Sequence, residues 1–110
     1  MLIAENVHRI LAYRHPVDMR KSFTGLIALV QNTLSEDPLD NSLYVFINRR
    51  GTHLKAIYWD RTGFCILAKR LERSRFVLPG EAESCELSEQ AFRLLLDGIV
   101  LGTPTRMLYK

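Results

Sequence analysis

The 110-residue chain has no long hydrophobic run and only two cysteines. No apolar stretch approaches the roughly 20 residues that a membrane-spanning helix needs. Residues 1–5 lack the basic start and apolar run of a secretory signal. Cys65 and Cys85 cannot build a disulfide framework, and no CxxC pair is present. We therefore expect a cytoplasmic protein without membrane contact, folded as one domain over residues 1–110.

Motifs of common catalytic and cofactor sites are also missing. The sequence contains no GxxxxGK[ST], GxGxxG, HExxH or GxSxG pattern, and its three histidines are too far apart in sequence to suggest a local metal pair. We expect no cofactor, no metal and no catalytic residue. Asp18 and Asp60 leave a metal-dependent nuclease as one alternative, although capping a helix and closing a turn are commoner roles for such residues.

The charge is distributed very unevenly. Fifteen basic and twelve acidic residues give a net charge of +3. Residues 49–75, however, hold eight basic against two acidic residues, and residues 9–21 hold four against one. The acids gather at 36–40 and 81–97. This asymmetry is typical of proteins that bind nucleic acids; the alternative is a basic face that is simply solvated.

Hydrophobic periodicity predicts an α+β fold with the order β-α-β-β-β-β-α. We expect an antiparallel β-meander with two helices packed on one face. Asp18 is the predicted N-cap of the first helix, and Ser88 that of the second. The predicted first helix covers residues 18–34, and the predicted strands cover residues 7–13, 43–47, 53–59, 64–69 and 73–78.

Three basic clusters are the candidate DNA-binding sites. One lies at the start of the predicted first helix, where a phosphate would suit the free N–H groups, unless Arg20 folds back onto Asp18. The second lies in a hairpin turn. The third runs from the end of the predicted fourth strand into the predicted fifth, where Arg73 and Arg75 would share one face. Nearby aromatic residues are candidates for base stacking, although aromatics in strands are more often core: Tyr58, Trp59, Phe64 and Phe76. The predicted DNA-binding residues are Arg20, Lys21, Arg49, Arg50, Lys69, Arg70, Arg73 and Arg75.

The same segments resemble a known family. VDMRKSFTGL at 17–26, NRRG at 48–51, KAIYWD at 55–60 and KRLERSRF at 69–76 occur in the order found in the small accessory protein, TnpB or Orf2, of sixty-six-type bacterial insertion sequences. The family often has Gly where this chain has Ser74. The resemblance implies an accessory factor for transposition, encoded beside a separate transposase.

We therefore expect a non-catalytic accessory factor for DNA transposition. Its expected partners are DNA, bound weakly and largely without sequence preference, and the transposase of the same element. The alternative is an interaction module that docks on the transposase and contacts DNA little. The acidic residues at 36–40 and 81–89 favour this alternative, because they offer surfaces to a basic partner.

Overall fold

The structure is a computed structural model and describes residues 7–100 of the chain. Its five strands are β1 (Arg9–Tyr13), β2 (Ser42–Ile47), β3 (His53–Trp59), β4 (Phe64–Arg70) and β5 (Ser84–Leu87). They form one sheet with the order β4-β3-β2-β1-β5. The helices are α1 (Phe23–Ala28), which continues into a π-helical turn (Leu29–Thr33), and α2 (Glu89–Leu96).

The α+β class and the element order agree with the prediction, but the pairing differs from a simple meander. β1 runs parallel to β2, while the other three neighbouring pairs are antiparallel. The predicted strand at 73–78 is an irregular loop, because Ser74 adopts a left-handed φ of 69° and Phe76 turns inward to bond Gly51. The fifth strand is instead Ser84–Leu87, in the acidic segment between the last predicted strand and the predicted second helix, and it pairs with β1.

The two helices cover opposite faces of the sheet, so their predicted placement on one face is wrong. β2 is apolar and buried on both sides, and both sides therefore require a cover. In addition, a parallel β1–β2 pair requires a crossover connection, which α1 provides. The α1-side core consists of Leu11, Tyr13, Val17, Leu26, Val30, Tyr44, Phe46 and Ile57. The α2-side core consists of Ile10, Ala12, Leu43, Val45, Ile47, Leu54, Ala56, Phe76, Leu87, Phe92, Leu95 and Leu96.

The first helix begins five residues later than predicted. The Lys55 ammonium donates to the carbonyls of Met19 and Lys21, both at 2.8 Å, and holds this segment against β3 outside the helix. Asp18 is therefore not a helix cap. Ser88 caps α2 as predicted, since its hydroxyl accepts a 3.0 Å hydrogen bond from the amide of Ala91. No helix within residues 7–100 is long and apolar enough to cross a membrane.

Candidate nucleic-acid interface

Three loops meet at one end of the sheet. The parallel strands β1 and β2 finish at this end, where β3 begins and β4 finishes. We call residues 14–22, 48–52 and 71–80 together the basic end. Backbone hydrogen bonds fasten the loops to their neighbours: Val17 to Ile47 at 3.0 Å, Leu71 to Thr52 at 2.9 Å, and Phe76 to Gly51 at 2.8 Å.

The basic end carries most of the excess positive charge. Seven basic residues oppose the carboxylates of Asp18 and Glu72, a net charge of +5. At the other end of the sheet, residues 35–41 and 60–63 carry four carboxylates and one arginine, a net charge of −3. The molecule is therefore electrically polar along its strands. The basic residues are Arg14, Arg20, Lys21, Arg49, Arg50, Arg73 and Arg75.

A groove of about 320 Å³, which we call the arginine groove, runs between the hairpin tip and the loop after β4. Arg49, Arg50 and Arg75 line it and are exposed to solvent. Among the described residues, no carboxylate lines this groove. Its lining residues are Arg14, Pro16, Ile47, Asn48, Arg49, Arg50, Gly51, Arg75, Phe76, Val77 and Leu78.

Gly51 allows the two walls of the arginine groove to approach each other. It has a φ of +73°, and a Cβ built there would lie 3.1 Å from the carbonyl oxygen of Phe76 and 3.4 Å from Cβ of Arg75. Phe76 is only 4% exposed and anchors its loop in the core. The glycine therefore brings Arg75 beside the hairpin arginines.

Arg14 holds the wall of the groove nearest β5. Its guanidinium donates hydrogen bonds to the carbonyls of Pro79 and Ala82. Exposed Glu81 and Glu83 flank this side. Sequence reasoning counted Arg14 in a basic segment but did not assign it to the site; its position directly after the first strand was the available signal.

Arg20 is occupied by an ion pair within its own loop. Its guanidinium lies 2.6 Å from the Asp18 carboxylate, and its amide also donates to that carboxylate at 2.9 Å. These hydrogen bonds hold the pKa of Asp18 at about 2. The structure thus contains the alternative in which Arg20 folds back onto Asp18, and Lys21 is exposed in the same loop.

The predicted cluster from residue 69 to 75 divides into two parts. Lys69 donates to the Leu96 carbonyl at 2.7 Å, at the carboxyl end of α2, where a cation is favourable. Arg70 donates to Glu72 at 2.8 Å. Arg73 and Arg75 belong to the exposed loop. Arg70, the last residue of β4, also lies at this end of the sheet, but its charge is paired with Glu72.

The aromatic residues proposed for base stacking are not available there. The Trp59 and Phe64 rings contact each other edge to face, with centroids 5.0 Å apart, at the far end of β3 and β4. Tyr58 is the neighbour of Trp59 on β3 and is half-buried. Phe76 is buried. A base that reached the basic end would instead meet arginines, aliphatic side chains and the exposed imidazole of His15.

Asp18 and Asp60 are far apart. Asp18 lies in a cavity beside His53, at the start of β3, whereas Asp60 follows the end of that seven-residue strand. Such a strand spans roughly 20 Å, while paired catalytic metals lie about 4 Å apart. Within residues 7–100, no group of three or more His, Cys, Asp or Glu side chains is placed to hold a metal ion.

Two of the three carboxylates in the acidic loop at 35–41 share one arginine. Arg9 donates to Glu36 at 2.8 Å and to Asp40 at 3.1 Å. The Tyr44 hydroxyl lies 2.9 Å from the Asp40 carboxylate. Burial, assisted by that hydrogen bond, raises the pKa of Tyr44 to about 12. This cluster ties β1 and β2 to the loop, and Asp37 remains its exposed carboxylate.

Comparisons with known proteins agree with the motif resemblance. The family model described as "IS66 Orf2 like protein" matches residues 8–106. Uncharacterized protein y4hO of Sinorhizobium fredii (strain NBRC 101917 / NGR234) is 42% identical over 96 residues, covering 86% of this chain and 83% of the relative. Uncharacterized protein y4jC of the same strain is 36% identical over 92 residues, covering 83% and 79%. No solved structure matches the chain. The chain belongs to the IS66 Orf2-like family, which indicates an accessory role in the transposition of an insertion sequence.

Proposed function

We propose that this protein is a non-catalytic accessory factor of transposition that binds the phosphate backbone of DNA with its basic end. The observation that carries the proposal is the convergence of three separate loops, on which seven basic residues oppose two carboxylates. Guanidinium groups suit phosphates because their planar N–H donors can bind two oxygens at once. Backbone contacts of this kind position a protein on DNA without reading its sequence.

The shape of the basic end favours weak binding with little sequence preference. The described residues at this end form loops and a hairpin tip. None of the seven basic residues lies on a helix, so no helix carries them into a major groove. Affinity should therefore come from charge and fall steeply as salt rises.

The test is a salt titration of duplex binding by fluorescence anisotropy. We expect Arg49→Ala with Arg50→Ala to weaken binding and to reduce the slope of log K against log salt by up to about 1.8, since each phosphate contact contributes about 0.9. Arg73→Ala with Arg75→Ala should act similarly. All four side chains are exposed, so the free energy of unfolding should change by less than about 0.5 kcal/mol per substitution.

The matched control removes two arginines away from the basic end. Arg61 lies in the β3–β4 turn at the opposite end of the sheet, with a φ of 57° that Asn tolerates. Arg93 lies on α2 and pairs with Glu89. Arg61→Asn with Arg93→Ala should leave the slope almost unchanged. The proposal fails if the wild-type protein does not bind DNA at low salt. It also fails if the Arg61→Asn, Arg93→Ala control lowers the slope as much as Arg49→Ala with Arg50→Ala does.

Docking on the transposase is the second candidate, and the acidic segment before and within β5 favours it. Glu81, Glu83 and Glu86 are exposed along the outer edge of the sheet, where a basic partner would find them. Replacing all three by Gln should abolish capture of the purified transposase while leaving duplex binding intact or stronger. Capture that survives the triple substitution would remove this candidate surface.

A further inference from the structure

We infer that the arginine groove accepts an unpaired nucleotide of single-stranded DNA, with phosphates on its arginine rim and the base on its apolar floor. The inference rests on the proposed function and specifies which form of DNA the basic end prefers. It follows from the juxtaposition of exposed cations and exposed aliphatic surface in one groove.

Aliphatic side chains line the floor of the groove beside the arginines. Val77 is 40% exposed, in an irregular loop and directly after buried Phe76. Pro16 and Leu78 extend the same floor. The outside of a duplex presents phosphates and sugars, whose polar groups gain little from contact with an aliphatic surface. An unpaired base, in contrast, exposes flat faces that gain from leaving water.

The rim supplies the complementary charge. Arg49 and Arg50 stand on the hairpin side, and Arg75 stands on the opposite wall. All three guanidiniums can bind phosphate oxygens, and their planar faces can also stack on a base. The groove volume of about 320 Å³ falls within the range of small-ligand sites, roughly 300–1,000 Å³. The size therefore fits one nucleotide.

Two anchors fix the loop that forms the floor of the groove. Phe76 is anchored by its burial and by the 2.8 Å hydrogen bond from its amide to Gly51. On the other side of Val77, the Arg14 guanidinium binds the Pro79 carbonyl. The floor residues lie between these two anchors, so little conformational entropy remains to be lost on binding.

The experiment compares a single-stranded oligonucleotide with a duplex of the same length, by anisotropy at equal salt. We expect the single strand to bind more tightly. Val77→Ser keeps every charge, so it should weaken single-strand binding about fivefold, a typical effect of losing a partly buried aliphatic contact, and leave duplex binding and both salt slopes unchanged. The control is Leu39→Ser, an exposed aliphatic residue at the opposite end of the sheet, which should alter neither.

The outcomes separate the inference from the proposed function. Duplex binding that depends on Arg49 and Arg50 without a preference for single strands, or a Val77→Ser variant that binds both forms like wild type, would overturn the inference alone. If the wild-type protein binds neither the single strand nor the duplex at low salt, the proposed function is overturned as well. An abasic oligonucleotide should bind less tightly than one with bases. Displacement of the oligonucleotide by poly-glutamate at equal charge would overturn the inference and favour an acidic protein segment.

Discussion

Gly51 is the position where one added methyl group should disturb the arginine groove most. The residue sits at the hairpin tip with a φ of +73°, and its carbonyl accepts the hydrogen bond from Phe76 that fastens the following loop. Gly51→Ala introduces a Cβ 3.1 Å from the Phe76 carbonyl oxygen. That oxygen belongs to the backbone of an anchored loop, so the contact cannot be relieved by a simple rotamer change.

The expected cost follows from two effects. Placing a residue with a Cβ in the left-handed region costs about 1–2 kcal/mol. Moving the Phe76 backbone weakens a hydrogen bond worth about 1 kcal/mol. The free energy of unfolding should therefore fall by about 2–3 kcal/mol. In a domain of this size, each kcal/mol corresponds to about 4–8 °C in Tm, so Tm should fall by about 10 °C or more.

Urea titration followed by the fluorescence of Trp59, the single tryptophan, measures this change. Gly63→Ala is the matched control, because a Cβ at Gly63 would meet nothing within 4 Å and its φ is not positive. The control should stay within about 0.5 kcal/mol of wild type. A Gly51→Ala protein as stable as the control would refute the close packing of the two groove walls.

Two further predictions use the perturbed ionisable groups. Because the pKa of folded Tyr44 is raised to about 12 from the ordinary 10.0, its contribution to stability is complete below pH 10 and is lost as the pH rises toward 12. The urea midpoint should therefore decrease less between about pH 8 and pH 11 for Tyr44→Phe than for wild type. An equal decrease in both proteins would contradict the assignment. Asp18→Asn removes a carboxylate from the basic end and releases Arg20. It should strengthen duplex binding about threefold at low salt, whereas Asp37→Asn at the opposite end should not; weaker binding by a folded Asp18→Asn protein would argue against backbone contacts there.

Local sequence signals predicted the elements whose partners are close in the chain. The two hairpins β2–β3 and β3–β4 were predictable from apolar runs separated by turns that end in Gly51 and Gly63. β5 was missed because Ser84–Leu87 is short and partly acidic, and its partner β1 lies more than 70 residues earlier. The late start of α1 was also a tertiary effect, since Lys55 holds the preceding carbonyls.

The candidate site was predictable only in part for the same reason. Arg49 and Arg50 stood out as a charged turn, and Arg75 as part of a basic cluster. The pairing of Arg20 with Asp18 was one of the two predicted alternatives. A sequence does not show whether Asp18 or a phosphate binds the Arg20 guanidinium, because that depends on their relative positions. The apolar floor at Val77 went unnoticed, because it exists only where the loop after β4 folds over the hairpin tip.

The position of β1 makes the two ends of the described chain depend on each other. Ile10 pairs with Leu43 on one side and with Leu87, 77 residues away, on the other. Until β5 arrives, β1 presents a row of unpaired N–H and C=O groups, an edge open to pairing with other chains. Contacts of such long sequence separation form slowly. A shortened version ending before residue 84, or a nascent chain at that stage of synthesis, would keep this aggregation-prone edge.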